Sequence, residues 1–380
     1  LYVVYKGNQG AEEYGIRVLG AEKIPVLDLS DYSLRTMDDP MADEACSKKL
    51  LAYVEALEET SAKAQTLHDE NHDGYSWEPQ NCIYEATDVV TRYAMLSLAT
   101  DQVLAGLGSG STEDKARVLG QSLKAMDEMM YLFYQHKGLS EDTSAPGHNR
   151  VPFSRINIRY QRMFAGAFMY AGGRHIGIEW AQLPGMVSGR PVEADENGKW
   201  ISGQYFGWGI AHEIGHEINE GAYAVAEVTN NYFSVLAQAQ DNNESVRFKY
   251  PDVFKKVTSG TKGKASNVFV QLAMYWQLHL AYDSGYNFKI YDTNAEQLEN
   301  LFFARVDSYV RKPSTAPGTL SLSGADTDNK LMRLAVAASE KNLLDFFRHW
   351  GMEPDEKTIA YASGFEKETR GIWFANDETR

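Results

Sequence analysis

Apolar and polar residues alternate through the first thirty positions. Leu1-Tyr2-Val3-Val4-Tyr5, Gly15-Ile16-Arg17-Val18-Leu19 and Ile24-Pro25-Val26-Leu27 are short β-rich runs broken by Gly and Asn. That pattern predicts antiparallel strands. Over residues 39–134 the spacing becomes helical, with runs at 49–57, 87–105 and 112–136, the last with Thr112 as its N-cap. Residues 140–152 read as a polar loop, 156–160 and 174–178 as strands, and the stretch up to 198 as turns. Helical patterns follow from 209 or 210 to about 219, and over 222–240, 267–282, 298–310 and 329–350. Residues 313–324 read as an exposed loop and the tail as short strand or coil. The predicted fold class is α+β, with an N-terminal antiparallel β region and a mainly helical remainder. Three parts are expected: a β-strand region at 1–35, a catalytic core at 36–240 and a helical subdomain at 241–380.

One helical stretch carries the chemistry. His212-Glu213-Ile214-Gly215-His216 places two imidazoles four residues apart, on one helix face and about one turn from each other. Two His at that separation can close on one Zn2+. Glu213 points beside such an ion, where a general base for its water stands. The third ligand decides the enzyme class. A longer signature asks for another His six residues past His216, and Ala222 stands there. Glu220 shares the face but lies ~12 Å along the axis from His212, beyond reach of one ion. Glu217 points away from that face. Glu227, on a segment able to turn back after Gly221, is the expected ligand. Two His, one Glu and an open fourth position describe a catalytic site.

Gly207-Trp208-Gly209-Ile210-Ala211 followed by the motif, and then Ala226-Glu227-Val228-Thr229-Asn230-Asn231, resembles the enhancin-like and mucin-degrading family of zinc peptidases. Asp345-Phe346-Phe347-Arg348-His349-Trp350-Gly351 is similar to that family's FF-x-x-W-G segment. Tyr170-Ala171-Gly172-Gly173-Arg174-His175-Ile176-Gly177 resembles the strand before its metal helix. The likeness runs from about residue 150 to 350. It implies a gluzincin (zincin-type) metallopeptidase fold and one Zn2+ on His212, His216 and Glu227, with Glu213 as general base. It also implies a secreted or cell-surface O-glycopeptidase that cuts mucin-type glycoproteins beside a glycosylated Ser or Thr. Two other readings stay open: a peptidase of the same fold with no glycan requirement, and a non-catalytic glycan-binding module. The second predicts loss of Glu213 or a ligand, and all four residues are present.

Around the motif, Gly172, Gly173 and His175 are candidates for an edge strand that pairs with a substrate backbone. Trp208 is a candidate sugar-stacking wall, with Trp180 as a possible companion. Asn231, like Asn230, is a candidate to bond a ligand or to orient a metal-bound His. His175 and Tyr205 are candidate oxyanion donors. Asp69 to Gly74 opens like a calcium loop, but its twelfth position is Gln80 rather than a bidentate Glu. Asp326 reads as a helix N-cap.

Composition narrows the partners. The 380 residues are 43% hydrophobic, ample for a large core, and carry a net charge of −15, which argues against nucleic acid and anionic membranes. No apolar run of eighteen exists to span a bilayer. The chain opens at Leu1 without Met or an apolar signal region, so it reads as an excised catalytic fragment whose targeting segment has been removed, and a monomer is expected. Cys46 and Cys82 are too few to fix a compartment and read as free buried thiols, though they could pair.

Overall fold

A computed structural model describes residues 23–71, 86–163, 166–194, 200–240, 247–283 and 301–377. The expected strands before residue 23, Cys82 and the calcium-like loop beyond residue 71 lie outside these.

A six-stranded mixed sheet runs in the order β1-β2-β3-β4-β6-β5. Its strands are β1 (Val26–Asp28), β2 (Ala86–Val90), β3 (Ala94–Ala99), β4 (Ile156–Tyr160), β5 (Met169–Gly172) and β6 (His175–Ile178). β1 pairs parallel with β2, against the antiparallel expectation. The 28-residue helix α1 (Glu44–Asn71) lies between them in sequence, and a crossover of that length brings the chain back in the same direction. Residues 87–105 also differ from the expected helix: they form the antiparallel hairpin β2–β3 and only then α2 (Thr100–Leu107). Thr87, Val89, Val90 and Thr91 are β-branched residues that favour a strand, and one face of the hairpin buries Val89 and Leu96.

Helix α3 (Thr112–His136) is capped by Ser111, one residue before the expected Thr112. The Ser111 hydroxyl accepts from the Asp114 amide while the Asp114 carboxylate accepts from the Ser111 amide. The C-terminal half of α3 is buried on every face, as is most of α7 (Val268–Tyr282), so these two helices form the centre of the helical layer. β7 (Arg190–Ala194) and β8 (Trp200–Gln204) form a separate two-stranded ribbon.

Between them and the tail lie α4 (Gly207–Ile218), α5 (Thr229–Gln240), α6 (Tyr250–Thr258), α8 (Phe302–Arg311), α9 (Thr327–Ser339), α10 (Leu344–His349) and α11 (Glu356–Ala362). Asp326 caps α9 as expected, its side chain accepting from the Asn329 amide. The single helix expected over 329–350 is broken at Glu340, whose φ of 52° is left-handed and ends α9. The tail expected as strand or coil carries α11, capped by Asp355. No described helix is long and apolar enough to cross a membrane. The architecture is α+β, as the alternation of short strands and long helical periods suggests.

Candidate metal centre

The site is built where α4 meets α5. Gly215 allows the contact: a Cβ there would lie 2.4 Å from the Asn230 carbonyl oxygen and 2.9 Å from its Cα. Any larger residue would drive the helices apart. On its other side, Gly209 brings α4 against the sheet, where a Cβ would meet Met169 Sδ at 3.0 Å. The motif's glycines therefore hold its helix between the edge strand and α5.

Helix α5 begins at Thr229, later than the expected 222, and Glu227 sits before it in a left-handed conformation with φ of 63°. A non-glycine residue pays for that conformation and needs surroundings that enforce it. Here the Asn231 side-chain amide donates to the Glu227 carbonyl at 2.7 Å, and the Thr229 hydroxyl accepts from the Val225 amide at 3.0 Å and from Asn219 Nδ2 at 2.8 Å. The result is a carboxylate turned across both motif histidines. Its oxygens lie 3.3 Å from His212 Nε2 and 3.1 Å from His216 Nε2.

His212 is oriented from behind, whereas the His216 Nε2 has Asn230 Nδ2 3.1 Å away. Asn231 Oδ1 accepts from His212 Nδ1 at 2.7 Å and from Trp208 Nε1 at 2.9 Å. Fixing the proton on Nδ1 leaves the Nε2 lone pair facing Glu227, the arrangement a metal-ligating imidazole needs. Burial lowers the pKa of His216, with the neighbouring His212 adding to the effect, and so favours a neutral ring. This donor set fits a divalent ion: two ring nitrogens and a carboxylate converge on one point.

A second carboxylate is near. Glu213 offers an oxygen within 4.8 Å of the histidine donors. Burial raises its pKa, against the pull of His212, and the Ala171 amide of β5 donates to it. Glu227 spans both Nε2 atoms while Glu213 leans to the edge strand, so the two carboxylates occupy different places beside the histidines. Glu220 is turned elsewhere, 3.5 Å from Lys137 Nζ and 3.6 Å from Arg311 Nη1.

The other expected residues divide. The edge strand is β5, so Gly172 lies on it, whereas His175 lies one strand in on β6. Gly173 and Arg174 form the turn between them with φ of 62° and 67°. His175 Nε2 is 2.8 Å from the Tyr170 hydroxyl and 3.0 Å from Arg159 Nη2. Trp208, the candidate sugar wall, and Asn231, the candidate to bond a ligand or orient a His, are both buried and spend polar atoms on each other and on His212. Trp208 packs on Phe269 and beneath the Arg247 guanidinium. Tyr205 is also buried, its hydroxyl directed at Glu128, and Trp180 packs edge-on against Tyr160. Cys46 is a buried free thiol. Sequence reasoning missed the Ala171 amide, because a backbone donor leaves no trace in residue identity.

Residues 114–351 match the family model described as peptidase M60, enhancin and enhancin-like. The chain belongs to that family. Among solved structures, this M60 chain is similar to the M60 catalytic domain of Clostridium perfringens ZmpC in complex with the sialyl T antigen. The TM-score is 0.64 at 19% identity, covering 96% of this chain and 60% of that one. It is likewise similar to the ZmpB metallopeptidase of Clostridium perfringens, with TM-score 0.65, 19% identity and the same coverage. A third similar structure, a metallopeptidase in complex with Tn antigen, has TM-score 0.56 and 15% identity and covers 95% of this chain and 59% of that one. At such identities the likeness is one of fold, and the chain spans about 60% of the length of the first two. Comparison with curated proteins gave no match. M60 membership places the chain among metallopeptidases and implies a catalytic metal.

Proposed function

We propose that the chain is a zinc metalloendopeptidase, with His212, His216 and Glu227 as ligands and Glu213 as general base. The observation that carries this reading is the Glu227 carboxylate lying 3.3 and 3.1 Å from the two Nε2 atoms, with Glu213 held beside it against β5. A Zn2+ bound there supplies Lewis acidity that acidifies a water molecule and polarises the scissile carbonyl. Glu213 takes the water proton and delivers it to the leaving amine. Asn231 holds His212 in the ligating tautomer, and edge strand β5 offers backbone groups to an extended substrate.

The substrate proposed is an O-glycosylated, mucin-type protein cut next to a glycosylated Ser or Thr, met outside the cell. Its support is family membership together with the two similar structures described with sialyl T and Tn antigens. The test compares one peptide with and without O-linked GalNAc, each incubated with the zinc-loaded chain. Cleavage of the glycopeptide alone is expected. Equal cleavage of both would favour a peptidase without a glycan requirement.

A further inference from the structure

A second histidine cluster is buried among the helices. His136 ends α3, His279 lies in the last turns of α7, and Asp283 caps that helix. His136 and His279 are each 1% exposed and Asp283 is 4% exposed. Their donor atoms lie within 4.8 Å of one another. His279 Nδ1 is 3.0 Å from Asp283 Oδ2, and the Tyr232 hydroxyl of α5 is 3.3 Å from both His279 Nδ1 and His136 Nδ1.

These separations are informative. Tetrahedral donors around Zn2+ at ~2.0–2.1 Å stand about 3.3 Å from one another. Hydrogen bonds between oxygen and nitrogen mostly fall at ~2.7–3.2 Å, so the two Tyr232 contacts are long for them. A cation satisfies all of these donors together. The opposite oxygen, Asp283 Oδ1, accepts from the Phe302 amide at 2.8 Å, which fixes the carboxylate as ligand-supporting bonds do.

We propose that His136, His279 and Asp283, with the Tyr232 oxygen adjacent, form a second, structural site for a divalent transition metal, Zn2+ being the ion this nitrogen and oxygen set suits. It lies inside the protein, with all three side chains buried. It ties together α3, α5 and α7, three helices otherwise joined by side-chain packing. Tyr232 follows Asn231 directly, so an ion there also anchors the turn of α5 that holds His212.

The test is metal content by mass spectrometry of protein produced with zinc and dialysed to remove loosely bound ions. Two zinc ions per chain are expected in the native protein. One should remain in the double variant His212→Ala/His216→Ala, and none when Asp283→Asn is added. Asp283→Asn alone should keep one ion and lower the melting temperature. Should the catalytic reading fail while this inference stands, both the native chain and the double variant would hold one ion. A double variant that keeps its helical circular dichroism but holds no zinc would overturn the inference. So would Asp283→Asn retaining the native stoichiometry. Should Asp283→Asn fail to fold, the double variant decides alone.

Discussion

The two histidine clusters use similar donors and differ in surroundings. In the cleft, the side chains of His212 and His216 are 18% and 27% exposed and that of Glu227 is 55% exposed. Among the helices, His136, His279 and Asp283 are sealed by α3, α5 and α7. A catalytic ion needs an open coordination position and a base beside it, whereas a structural ion needs closure. The cleft cluster meets the first description, with Glu213 set against β5. The buried cluster meets the second: its histidines are 1% exposed, and Trp276 stacks on His279 at 4.6 Å. The same side chains thus support different chemistry according to what packs on them.

The largest effect that could break this contrast is on Glu227. Glu227→Ala should remove the cleft ion and abolish peptidase activity, measured by metal content and turnover of a mucin-type glycopeptide. Glu220→Ala, whose carboxylate belongs to Lys137 and Arg311, should leave metal content unchanged. A reversed result would move the ligand to Glu220.

Asn231→Ala comes next. It frees the His212 tautomer and leaves the Trp208 N–H and the Glu227 carbonyl without their Asn231 contacts. Loss of such a supporting bond costs ~10–100-fold in metal affinity or activity. A zinc titration against a competing chelator would measure it.

Smallest is a packing effect. Gly215→Ala pushes a methyl group against the Asn230 backbone and should destabilise the fold by about 1–3 kcal/mol. Urea denaturation gives that number directly. An unchanged midpoint would show that α4 and α5 do not meet as closely as described.

The cleft cluster was legible because its members fall within sixteen residues and two of them share a helix face. Even there, the sequence suggested a helix through Glu227, and the left-handed residue that turns the carboxylate back was hidden. Nothing in residue identity announces positive φ at a glutamate; it follows from the bonds that Asn231 and Thr229 make after folding. Trp208 and Asn231 were visible as polar or aromatic neighbours of the motif, but their inward direction depends on the α4–α5 contact. The buried cluster was illegible for another reason. His279 and Asp283 have the four-residue spacing of one helix face, yet His136 lies more than a hundred residues away and joins them only through tertiary packing. The β2–β3 hairpin failed as a helix because short apolar runs fit either period, and β-branched residues decided it.

The central claim is that Glu213 acts as base on an ion held by its neighbours. Glu213→Gln keeps the size of the side chain and removes the base. With zinc content equal to that of the native chain, turnover of a mucin-type glycopeptide should fall by at least ~10²–10⁴-fold. A variant that retains zinc and cleaves at close to the native rate would contradict the account.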